Sequence, residues 1–324
     1  MITRRKFSQG IVGATTLGAF SRTAVAQADY PNKPITVTIG LAAGSGADIL
    51  TRHFTTKLSG LCGQPVVVQN KTGAFNAIAA NTVAKARPDG YNVLFTGSAI
   101  VAGGKHLVKD LPFDGTKDLA PVAVFAESPF VLCVGKSSPF SSVKELVSAL
   151  KSKSQATYGY TSPVGFISTA YFNAETGITP TAVAYKTAAD ALPDVENGTL
   201  DFCIFDGAFV LGQIRSGRIR ALAATSARRI SAIADIPTMQ EAGVPKYNFS
   251  PWWGVYVPVN TPQPIIDKLS KWINDIAASP DTVKFVEGIA NVPATGDALA
   301  AAALLKSDVE KWDELAARAN LKPQ

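Results

Sequence analysis

Short apolar segments rich in β-branched residues alternate with amphipathic segments along most of the chain. Ile35–Ile39, Val66–Val68 and Asn92–Thr96 follow the strand pattern, and helical patterns separate them, the second of which runs from Phe75 to Ala86. Strands that alternate with helices in this way are typical of α/β domains with parallel sheets. The alternation starts again at Phe130–Val134 and continues to Ala221–Thr225. The pattern therefore predicts an α/β fold built from two runs of strand–helix units.

The length of the chain favours two lobes. A chain of 324 residues exceeds what one hydrophobic core usually holds. The stretches 122–129 and 247–253 are candidates for crossovers between the lobes, and a helical tail follows the second of them. We therefore expect lobe 1 to comprise residues 27–125 and 251–324, and lobe 2 to comprise residues 126–250. Lobes joined in this way are hinged, with a cleft between them.

The N-terminus carries the features of an export signal. Basic residues at positions 4–6 precede a weakly apolar stretch, Ile11–Phe20, and the small residues Ala24-Val25-Ala26. This order is typical of a cleaved signal peptide, and the apolar stretch is too short to span a bilayer. The segment Thr3–Phe7 favours the twin-arginine type over the general secretory type. We predict a signal peptide over residues 1–26, cleavage after Ala26, and a periplasmic mature protein.

The charge of the chain belongs largely to this signal. The full sequence carries a net charge of +6 at pH 7. Residues 1–26 hold four of the 31 Lys and Arg residues and none of the 25 acidic ones, so the mature chain has 27 basic residues and a net charge of +2. No basic stripe or aromatic-basic motif occurs, which argues against nucleic-acid binding. No later apolar run is long enough for a membrane span.

A short glycine- and serine-containing loop, Ala43-Gly44-Ser45-Gly46, joins the first predicted strand to the first helix. Glycines allow a ligand to approach the backbone closely, and a helix N-terminus presents unpaired N–H groups with positive partial charge. The loop is therefore a candidate anion site that needs no Arg or Lys. Asp48 lies in the first turn, where we favour helix capping over ligand contact.

The rival interpretation of this loop is a dinucleotide-binding motif, G-x-G-x-x-G. Gly44 and Gly46 fit the motif, but Ile49 occupies the third glycine position. The acidic residue expected after the next strand is also absent, since Gln69 and Asn70 stand there. The sequence therefore argues against a nicotinamide cofactor.

Loops at the carboxyl ends of parallel strands face one cleft, because open α/β sheets bind ligands there. Thr161, Ser162 and Asp206 either contact a ligand or cap the helices that follow them. We predict the following ligand-binding residues: Ala43, Gly44, Ser45, Gly46, Gly97, Ser98, Thr161, Ser162, Gly165, Phe166, Tyr185, Thr187 and Asp206.

No arrangement of residues points to catalysis or to a metal. The sequence has no G-x-S-x-G elbow and no clustered carboxylates, and His53 and His106 have no metal-ligand spacing. Cys62, Cys133 and Cys203 are odd in number and scattered, which argues against a disulfide framework. We interpret Cys133 and Cys203 as small buried apolar residues. The prediction is a protein without catalytic residues, metal or cofactor.

Taken together, motifs along nearly the whole mature chain resemble the Bug-type extracytoplasmic receptors of tripartite tricarboxylate transporters. The markers are short and weak individually, but their order and spacing are specific. They are Tyr30–Ile35, Gly44–Asp48, Gly63–Asn70 with Gly73-Ala74, Ala84–Tyr91, Leu111–Asp114, Lys117–Val122, Gly217–Ala223, Ile236–Thr238, Glu241–Gly243, Trp253-Gly254 and Thr261-Pro262.

The resemblance implies a type II periplasmic-binding-protein fold, with two Rossmann-like lobes joined by two crossover strands. It implies a small carboxylate as ligand, held by the loop at residues 43–46 and by the matching loop of lobe 2, Thr161–Phe166. It also implies membrane permease subunits as partners, and we expect a monomer. Ser45 interrupts the paired glycines usual in this family. Pro163, Val164 and Phe166 make the pocket more apolar, which favours a ligand with a hydrophobic or aromatic body.

Two other functions stay open at the level of sequence. An exported cofactor-binding enzyme would fit a twin-arginine signal, because that route carries folded proteins. A receptor that feeds a signalling sensor instead of a permease would have the same sequence features, since the difference lies in the partner.

Overall fold

The computed structural model describes residues 30–247, 249–318 and 321–323. The predicted signal peptide, residues 1–26, and the cleavage site after Ala26 lie outside these residues. In the part of the chain that is described, no helix is both long enough and apolar enough to cross a bilayer.

The described residues form two β-sheets. In chain order the strands are β1 (Ile35–Ile39), β2 (Val66–Asn70), β3 (Asn92–Gly97), β4 (Leu119–Glu127), β5 (Phe130–Gly135), β6 (Thr157–Tyr160), β7 (Thr181–Ala184), β8 (Phe202–Asp206), β9 (Ile219–Ala224), β10 (Trp252–Pro258) and β11 (Val292–Gly296). We call the lobe around β1–β4, β10 and β11 lobe 1, and the lobe around β5–β9 lobe 2.

Helices cover the faces of both sheets. They are α1 (Gly46–Cys62), α2 (Ala77–Ala84), α3 (Ser98–Ala102), α4 (Gly104–Leu107), α5 (Val143–Ser152), α6 (Pro163–Thr176), α7 (Ala188–Glu196), α8 (Gly207–Arg215), α9 (Gln263–Ala278), α10 (Pro280–Gly288) and α11 (Ala298–Arg318). This arrangement confirms the predicted α/β class with two lobes.

The two sheets share one arrangement of strands. In lobe 1 the order is β11-β4-β10-β3-β1-β2, and β1 runs parallel to β2 and β3. In lobe 2 the order is β7-β6-β8-β5-β9, and β6 runs parallel to β7 and β8. Each sheet also contains a strand that has crossed from the other lobe and runs antiparallel to its neighbours, β10 in lobe 1 and β5 in lobe 2. The sheets are therefore mixed, where the sequence pattern alone predicted parallel ones.

Two crossovers lie side by side between the lobes. One joins β4 to β5, and the other leads from β9 to β10. The amide of Ser128 donates to the carbonyl of Pro251 over 2.8 Å, so the two crossovers are hydrogen-bonded to each other. Of the predicted crossover at 122–129, residues 122–127 form the end of β4 and only residues 128 and 129 lie between β4 and β5. The lobe boundaries at 125/126 and 250/251 stay a prediction.

Both faces of the lobe 1 sheet are covered by apolar contacts. On one face Phe54 of α1 packs on Phe125 of β4, with ring centroids 4.6 Å apart. On the other face Trp312 of α11 is fully buried, and its ring lies 5.8 Å from the ring of Phe249. The apolar cluster around Trp312 continues into lobe 2, where it includes Phe172 and Phe202. The lobes therefore share buried apolar surface as well as two crossovers.

Some short elements lack a sequence signal. The segment 98–107, expected as a loop at its start, forms α3 and α4, and the predicted all-helical tail is interrupted by β11. β11 contains Pro293, which the strand tolerates because it lies at the edge of the sheet, where a missing N–H leaves no neighbour unpaired.

Glycine at position 103 is required by the packing of Trp312. A Cβ placed on Gly103 would lie 2.2 to 2.8 Å from atoms of the Trp312 ring. We expect Gly103→Ala to lower the free energy of unfolding by about 1–3 kcal/mol, because overpacking displaces the ring. The control is Gly60→Ala in α1, where an added Cβ meets nothing within 4 Å and Ala gains roughly 0.5–1 kcal/mol. Urea unfolding measures both, and equal stability of the two variants would contradict this packing.

Candidate ligand-binding cleft

The carboxyl ends of the parallel strands of the two lobes face each other. At the start of α1 in lobe 1, a Cβ placed on Gly46 would lie 3.8 Å from the Cβ of Ala208 in α8 of lobe 2. Beside this contact, a Cβ on Gly207 would lie 3.0 Å from the carbonyl oxygen of Ala290 in lobe 1. The loops of the two lobes therefore meet here, which makes this the candidate place for the ligand site predicted from the sequence.

Two open grooves lie elsewhere on the molecule. One of about 550 Å³ lies between α5 and α6 in lobe 2, and one of about 340 Å³ lies beside α3 and α4 in lobe 1. Neither is lined by any of the predicted ligand-binding residues. Both are surface features of a single lobe, so we place the candidate site at the meeting of the lobes.

The loop before α1 is shaped for an anion. Gly44 adopts a left-handed conformation with φ of 79°, and the Ser45 hydroxyl caps the helix by accepting from the amide of Asp48 over 3.3 Å. The amides of Gly46 and Ala47 have no acceptor among the described residues. Ala43, Gly44 and Gly46 are exposed. Two N–H groups at the positive end of a 17-residue helix are thus accessible to a ligand.

The Asp48 carboxylate stabilises this loop through hydrogen bonds. One of its oxygens accepts from the Gly44 amide over 2.9 Å and from Arg52 Nε over 2.8 Å. The other accepts from Asn70 Nδ2 over 2.9 Å. The Arg52 guanidinium, with help from Asn70 and the Gly44 amide, outweighs burial and lowers the pKa of Asp48 to about 2. Asp48 is therefore structural, as we favoured from the sequence.

Asn70 and Arg52 were missed as parts of the site. Asn70 Nδ2 also donates to the carbonyl of Leu41 over 2.9 Å, and Arg52 donates to Asn70 Oδ1 over 3.2 Å. The pairing of the first two predicted strands could have indicated Asn70, because this residue ends β2 directly beside the end of β1. Polar residues at the carboxyl ends of neighbouring parallel strands lie close together.

The matching loop of lobe 2 is built in the same way. The Ser162 hydroxyl caps α6 by accepting from the Gly165 amide over 3.1 Å, and the amide of Val164 has no acceptor among the described residues. Thr161 is half-buried at the end of β6. The ring of Phe166 packs edge-on against Tyr160, with centroids 4.9 Å apart.

Gly165 serves packing between α6 and the sheet. It is buried, and a Cβ there would lie 3.3 Å from the carbonyl oxygen of Ile204 and 3.5 Å from the Phe130 ring. A larger residue would push α6 away from β8. The structure therefore gives Gly165 a role in positioning the loop.

Asp206 ends β8 at the contact between the lobes and caps α8. Its Oδ1 accepts from the Phe209 amide over 2.9 Å, and the Gly207 amide donates to the carbonyl of Pro129 over 3.0 Å. Burial raises the pKa of Asp206, although the hydrogen bond from Phe209 opposes this shift. The first amides of α8 are thus used by the protein itself, in contrast to those of α1.

Gly97 ends β3 in lobe 1 and Ser98 follows it, and the Ser98 side chain contacts its own lobe. Ser98 is buried beside Asp308 of α11. Burial raises the pKa of Asp308, and the Trp252 indole, the Lys311 ammonium and the Ser98 hydroxyl offset part of this shift. Gly97 lies at the end of β3, half-buried. The same Asp308 accepts from Trp252 Nε1 over 2.6 Å. Ser98 therefore contacts the C-terminal helix behind the cleft.

Tyr185 and Thr187 lie after β7, at the edge of the lobe 2 sheet. The Tyr185 hydroxyl donates to Asp194 Oδ2 over 2.6 Å, and burial together with this carboxylate raises the pKa of Tyr185 to about 12. Thr187 and Asp190 form a capping box at the start of α7. The side chains of both predicted residues are thus engaged within lobe 2.

The turn before α2 is strained. The sequence predicted a helix from Phe75, but Ala74, Phe75 and Asn76 have φ of 43°, 54° and 76°. A left-handed conformation costs roughly 1–2 kcal/mol for a residue with a Cβ. The turn packs closely on the end of β1, since a Cβ on Gly40 would lie 2.5 Å from that of Asn76. Phe75 stands at the cleft edge of lobe 1 with 37% of its surface exposed.

Comparison with known proteins identifies the family. Residues 50–321 match the family model described as the tripartite tricarboxylate transporter family receptor. A UPF0065 protein of Bordetella bronchiseptica is 32% identical over 316 residues, which cover 96% of this chain and 92% of that protein. The chain belongs to the tripartite tricarboxylate transporter receptor family.

Solved structures of this family agree with the fold. The R. palustris protein Rpa4515, solved with adipate, superposes with a TM-score of 0.83 at 30% identity, covering 91% of this chain and 100% of that one. The periplasmic binding protein BugD superposes with a TM-score of 0.79 at 26% identity, again covering 91% and 100%. The Bug-type resemblance and the two-lobed binding-protein fold are therefore confirmed.

Family membership also argues against the exported enzyme that the sequence left open. Members are solute-binding receptors of transporters and periplasmic binding proteins, not enzymes. Among the described residues, no three His, Cys, Asp or Glu side chains lie close enough to share a metal ion. The individual ligand-binding residues stay a prediction.

The Asp48 contacts make a prediction about pH. The pKa of Asp48 is about 2 in the folded protein, below its ordinary value of 3.8, so the ionised carboxylate stabilises the fold above pH 4. This contribution is lost as the pH falls from 4 through 2. We expect Asp48→Asn to lower the free energy of unfolding by about 2 kcal/mol at pH 7.

Urea unfolding at pH 7, 4 and 3 measures this effect. The difference between the wild type and Asp48→Asn shrinks as the pH falls, whereas Asp235→Asn, at an exposed position, stays close to the wild type throughout. A constant difference at all three pH values would show that the Asp48 charge is not the stabilising feature.

The strained turn makes a second prediction. Phe75→Gly and Phe75→Ala both remove the ring, but only Gly adopts a left-handed conformation without steric cost. We expect the Gly variant to be about 1 kcal/mol more stable than the Ala variant. Thermal and urea unfolding compare the two, and an Ala variant as stable as the Gly variant would contradict the left-handed turn.

Proposed function

We propose that this protein is a periplasmic receptor that captures a small carboxylate between its lobes and delivers it to the membrane subunits of a tripartite tricarboxylate transporter. The observation that carries this proposal is the pair of α1 amides, Gly46 and Ala47, which have no acceptor in the described part of the chain and lie where the lobes meet. An organic acid supplies the acceptor that these amides lack.

The electrostatics of the loop favour an anion. The nearest acid, Asp48, is buried and ion-paired with Arg52, and it accepts from Asn70 and Gly44 as well. Its charge is therefore compensated locally and does not repel a ligand carboxylate. The helix end then contributes about half a positive charge.

We propose that the ligand spans from this loop to lobe 2. There the Val164 amide and the hydroxyl of Thr161 are suited to a second acidic or polar group, and Asp206 is suited to a ligand hydroxyl, ammonium or protonated carboxyl. Burial raises the pKa of Asp206, so sharing a proton with an acid is easier there than for an exposed carboxylate. The proposed site keeps the residues predicted from the sequence in two roles. Direct contacts are proposed for residues 43–46, Thr161, Ser162, Phe166 and Asp206, and a role in holding the surrounding loops is proposed for Gly97, Ser98, Gly165, Tyr185 and Thr187.

The ligand body that we propose is apolar. Val164 and Phe166 lie in the first turn of α6 directly after the lobe 2 loop, and Phe75 is partly exposed in the turn after β2 of lobe 1, so each lobe offers apolar side chains beside its loops. The Rpa4515 relative, 30% identical, was solved with adipate, whose carboxylates are separated by a hydrocarbon chain. We therefore propose dicarboxylates of this kind, or aromatic acids, ahead of citrate.

Capture would use the hinge formed by the two crossovers. Because Ser128 and Pro251 are hydrogen-bonded side by side, rotation about both crossovers opens the cleft with little change inside each lobe. We propose the boundaries 125/126 and 250/251 for the moving units, and a monomeric receptor. The N-terminal signal, with cleavage after Ala26, would place it in the periplasm.

A matched pair of variants tests the amide site. Gly46→Pro removes the amide N–H at the first helical position, where proline is well tolerated, and Ser45 already has the extended conformation that precedes proline. Gly46→Ala keeps the N–H and also adds a Cβ. We expect Gly46→Pro to bind adipate at least about tenfold more weakly than Gly46→Ala, since a hydrogen bond to a charged group contributes about 1.5–3 kcal/mol.

Isothermal titration calorimetry measures the affinities, and melting temperatures without ligand check that both variants fold. Equal affinity of the two variants would show that the Gly46 amide does not hold the ligand. Should adipate not bind, a panel of linear dicarboxylates, citrate and aromatic acids follows. A panel in which no acid raises the melting temperature of the wild type contradicts the proposed function.

A further inference from the structure

Two cysteines face each other inside lobe 2. Cys133 on β5 and Cys203 on β8 are directly opposite in the antiparallel register, and both are fully buried. The Cys133 thiol donates to the Cys203 carbonyl oxygen over 3.7 Å. Ala191 and Val195 of α7 belong to the same apolar cluster. The two thiols therefore share one dry site beneath α7.

The strand geometry fits a disulfide between them. Residues directly opposite on antiparallel strands have Cα atoms roughly 4.5 or 5.5 Å apart. Both values lie within the range of about 4.4–6.8 Å that disulfides span. Cross-strand Cβ atoms are roughly 4.5–5.5 Å apart, against about 3.5–4.5 Å in a disulfide, so the strands need to approach by about 1 Å.

The third cysteine does not compete for this partner in the folded protein. Cys62 is the last residue of α1 in lobe 1, half-buried, and its thiol lies 3.5 Å from the carbonyl oxygen of Gln64. The three cysteines are therefore one facing pair in lobe 2 and one separate thiol in lobe 1. The sequence could not show this, because 70 residues separate the paired cysteines.

We propose that Cys133 and Cys203 form a disulfide across β5 and β8 when the chain folds in the presence of a disulfide oxidant. One thiol loses its proton and attacks a sulfur of the oxidant, which releases one oxidant thiol and leaves a mixed disulfide. The second cysteine then attacks the protein sulfur of that mixed disulfide and releases the second oxidant thiol. Two electrons pass to the oxidant, and the two protons leave with its thiols.

The disulfide can form only while the chain is folding. Both sulfurs are inaccessible once lobe 2 is packed, and burial raises the pKa of the Cys203 thiol, so little thiolate forms in the native core. A chain that folds under reducing conditions retains both thiols in the core. A chain that folds in the presence of a disulfide oxidant closes the bond before α7 covers the pair.

The bond would lie close to the cleft. Phe130 is paired with Asp206 on the same ladder as Cys133 and Cys203. A link there fixes the register of β5, the strand that follows the first crossover, against β8, the strand that ends at the cleft. It acts on the lobe 2 framework, so the inference holds whatever ligand the receptor binds.

Refolding tests the inference. The full chain with Cys62→Ser is unfolded, reduced, and refolded in a mixture of reduced and oxidised glutathione. It is then quenched in acid, treated with N-ethylmaleimide at neutral pH in concentrated urea so that buried thiols are exposed, and weighed by intact mass spectrometry. We expect a species two hydrogens lighter than the reduced chain that takes up no maleimide, and a proteolytic peptide that joins residues 133 and 203.

Two controls make the result specific. The Cys62→Ser/Cys203→Ser chain, treated identically, should retain one thiol that takes up maleimide or a single glutathione, and circular dichroism shows whether it folds. The wild-type chain should form the same 133–203 peptide and take up one maleimide at Cys62. If Cys133 and Cys203 are both alkylated after oxidative refolding to the native spectrum, or each carries glutathione, the proposal is overturned.

Discussion

Backbone N–H groups at the start of α1 are the groups on which the character of this cleft depends. The amides of Gly46 and Ala47 have no acceptor in the described part of the chain, and a left-handed Gly44 with the Ser45 cap presents them to lobe 2. They remain accessible because the adjacent carboxylate is turned inward. Asp48 is satisfied by Arg52 and its other partners, so it neither fills the site nor repels an anion.

The opposing lobe is similar in topology, and its loop before α6 is built like the loop before α1, but the start of α8 differs in its hydrogen bonding. Each sheet has three parallel strands followed by an antiparallel strand from the other lobe, so equivalent loops face each other across the cleft. In lobe 2, however, Asp206 and Pro129 use the first amides of α8. The anion-accepting capacity is therefore unequal, greater at α1 than at α8.

Motion of the lobes is limited by more than the crossovers. Besides the Ser128–Pro251 hydrogen bond, the C-terminal helix α11 bridges the lobes through Trp312, which belongs to an apolar cluster shared by both. Near its end Arg318 forms an ion pair with Glu175 of α6 over 2.6 Å. The hinge motion that we propose would therefore have to pivot about this buried surface.

The main elements of the fold could be predicted from the sequence, and details of the site could not. The strands β1, β3, β5 and β8 and the loops that follow them have strong local patterns. The turn at Phe75 was predicted as helix, because its local residues favour one, and the contact with Gly40 that imposes the left-handed conformation is made by a distant strand. Likewise, nothing adjacent to Ser98 indicates that it faces Asp308 across more than 200 residues of chain.

The sequence by itself determined the α/β class, the two runs of strand–helix units, the glycine and serine loop before α1, and the family. Each of these depends on short patterns of residues that are neighbours along the chain. Only the tertiary structure decided which polar groups of those loops are already used. Tyr185 is engaged by Asp194, Asp48 by Asn70, and Cys133 faces Cys203. These pairings are set by how helices and strands pack, since a buried polar group must find its partner in whichever element the fold brings next to it.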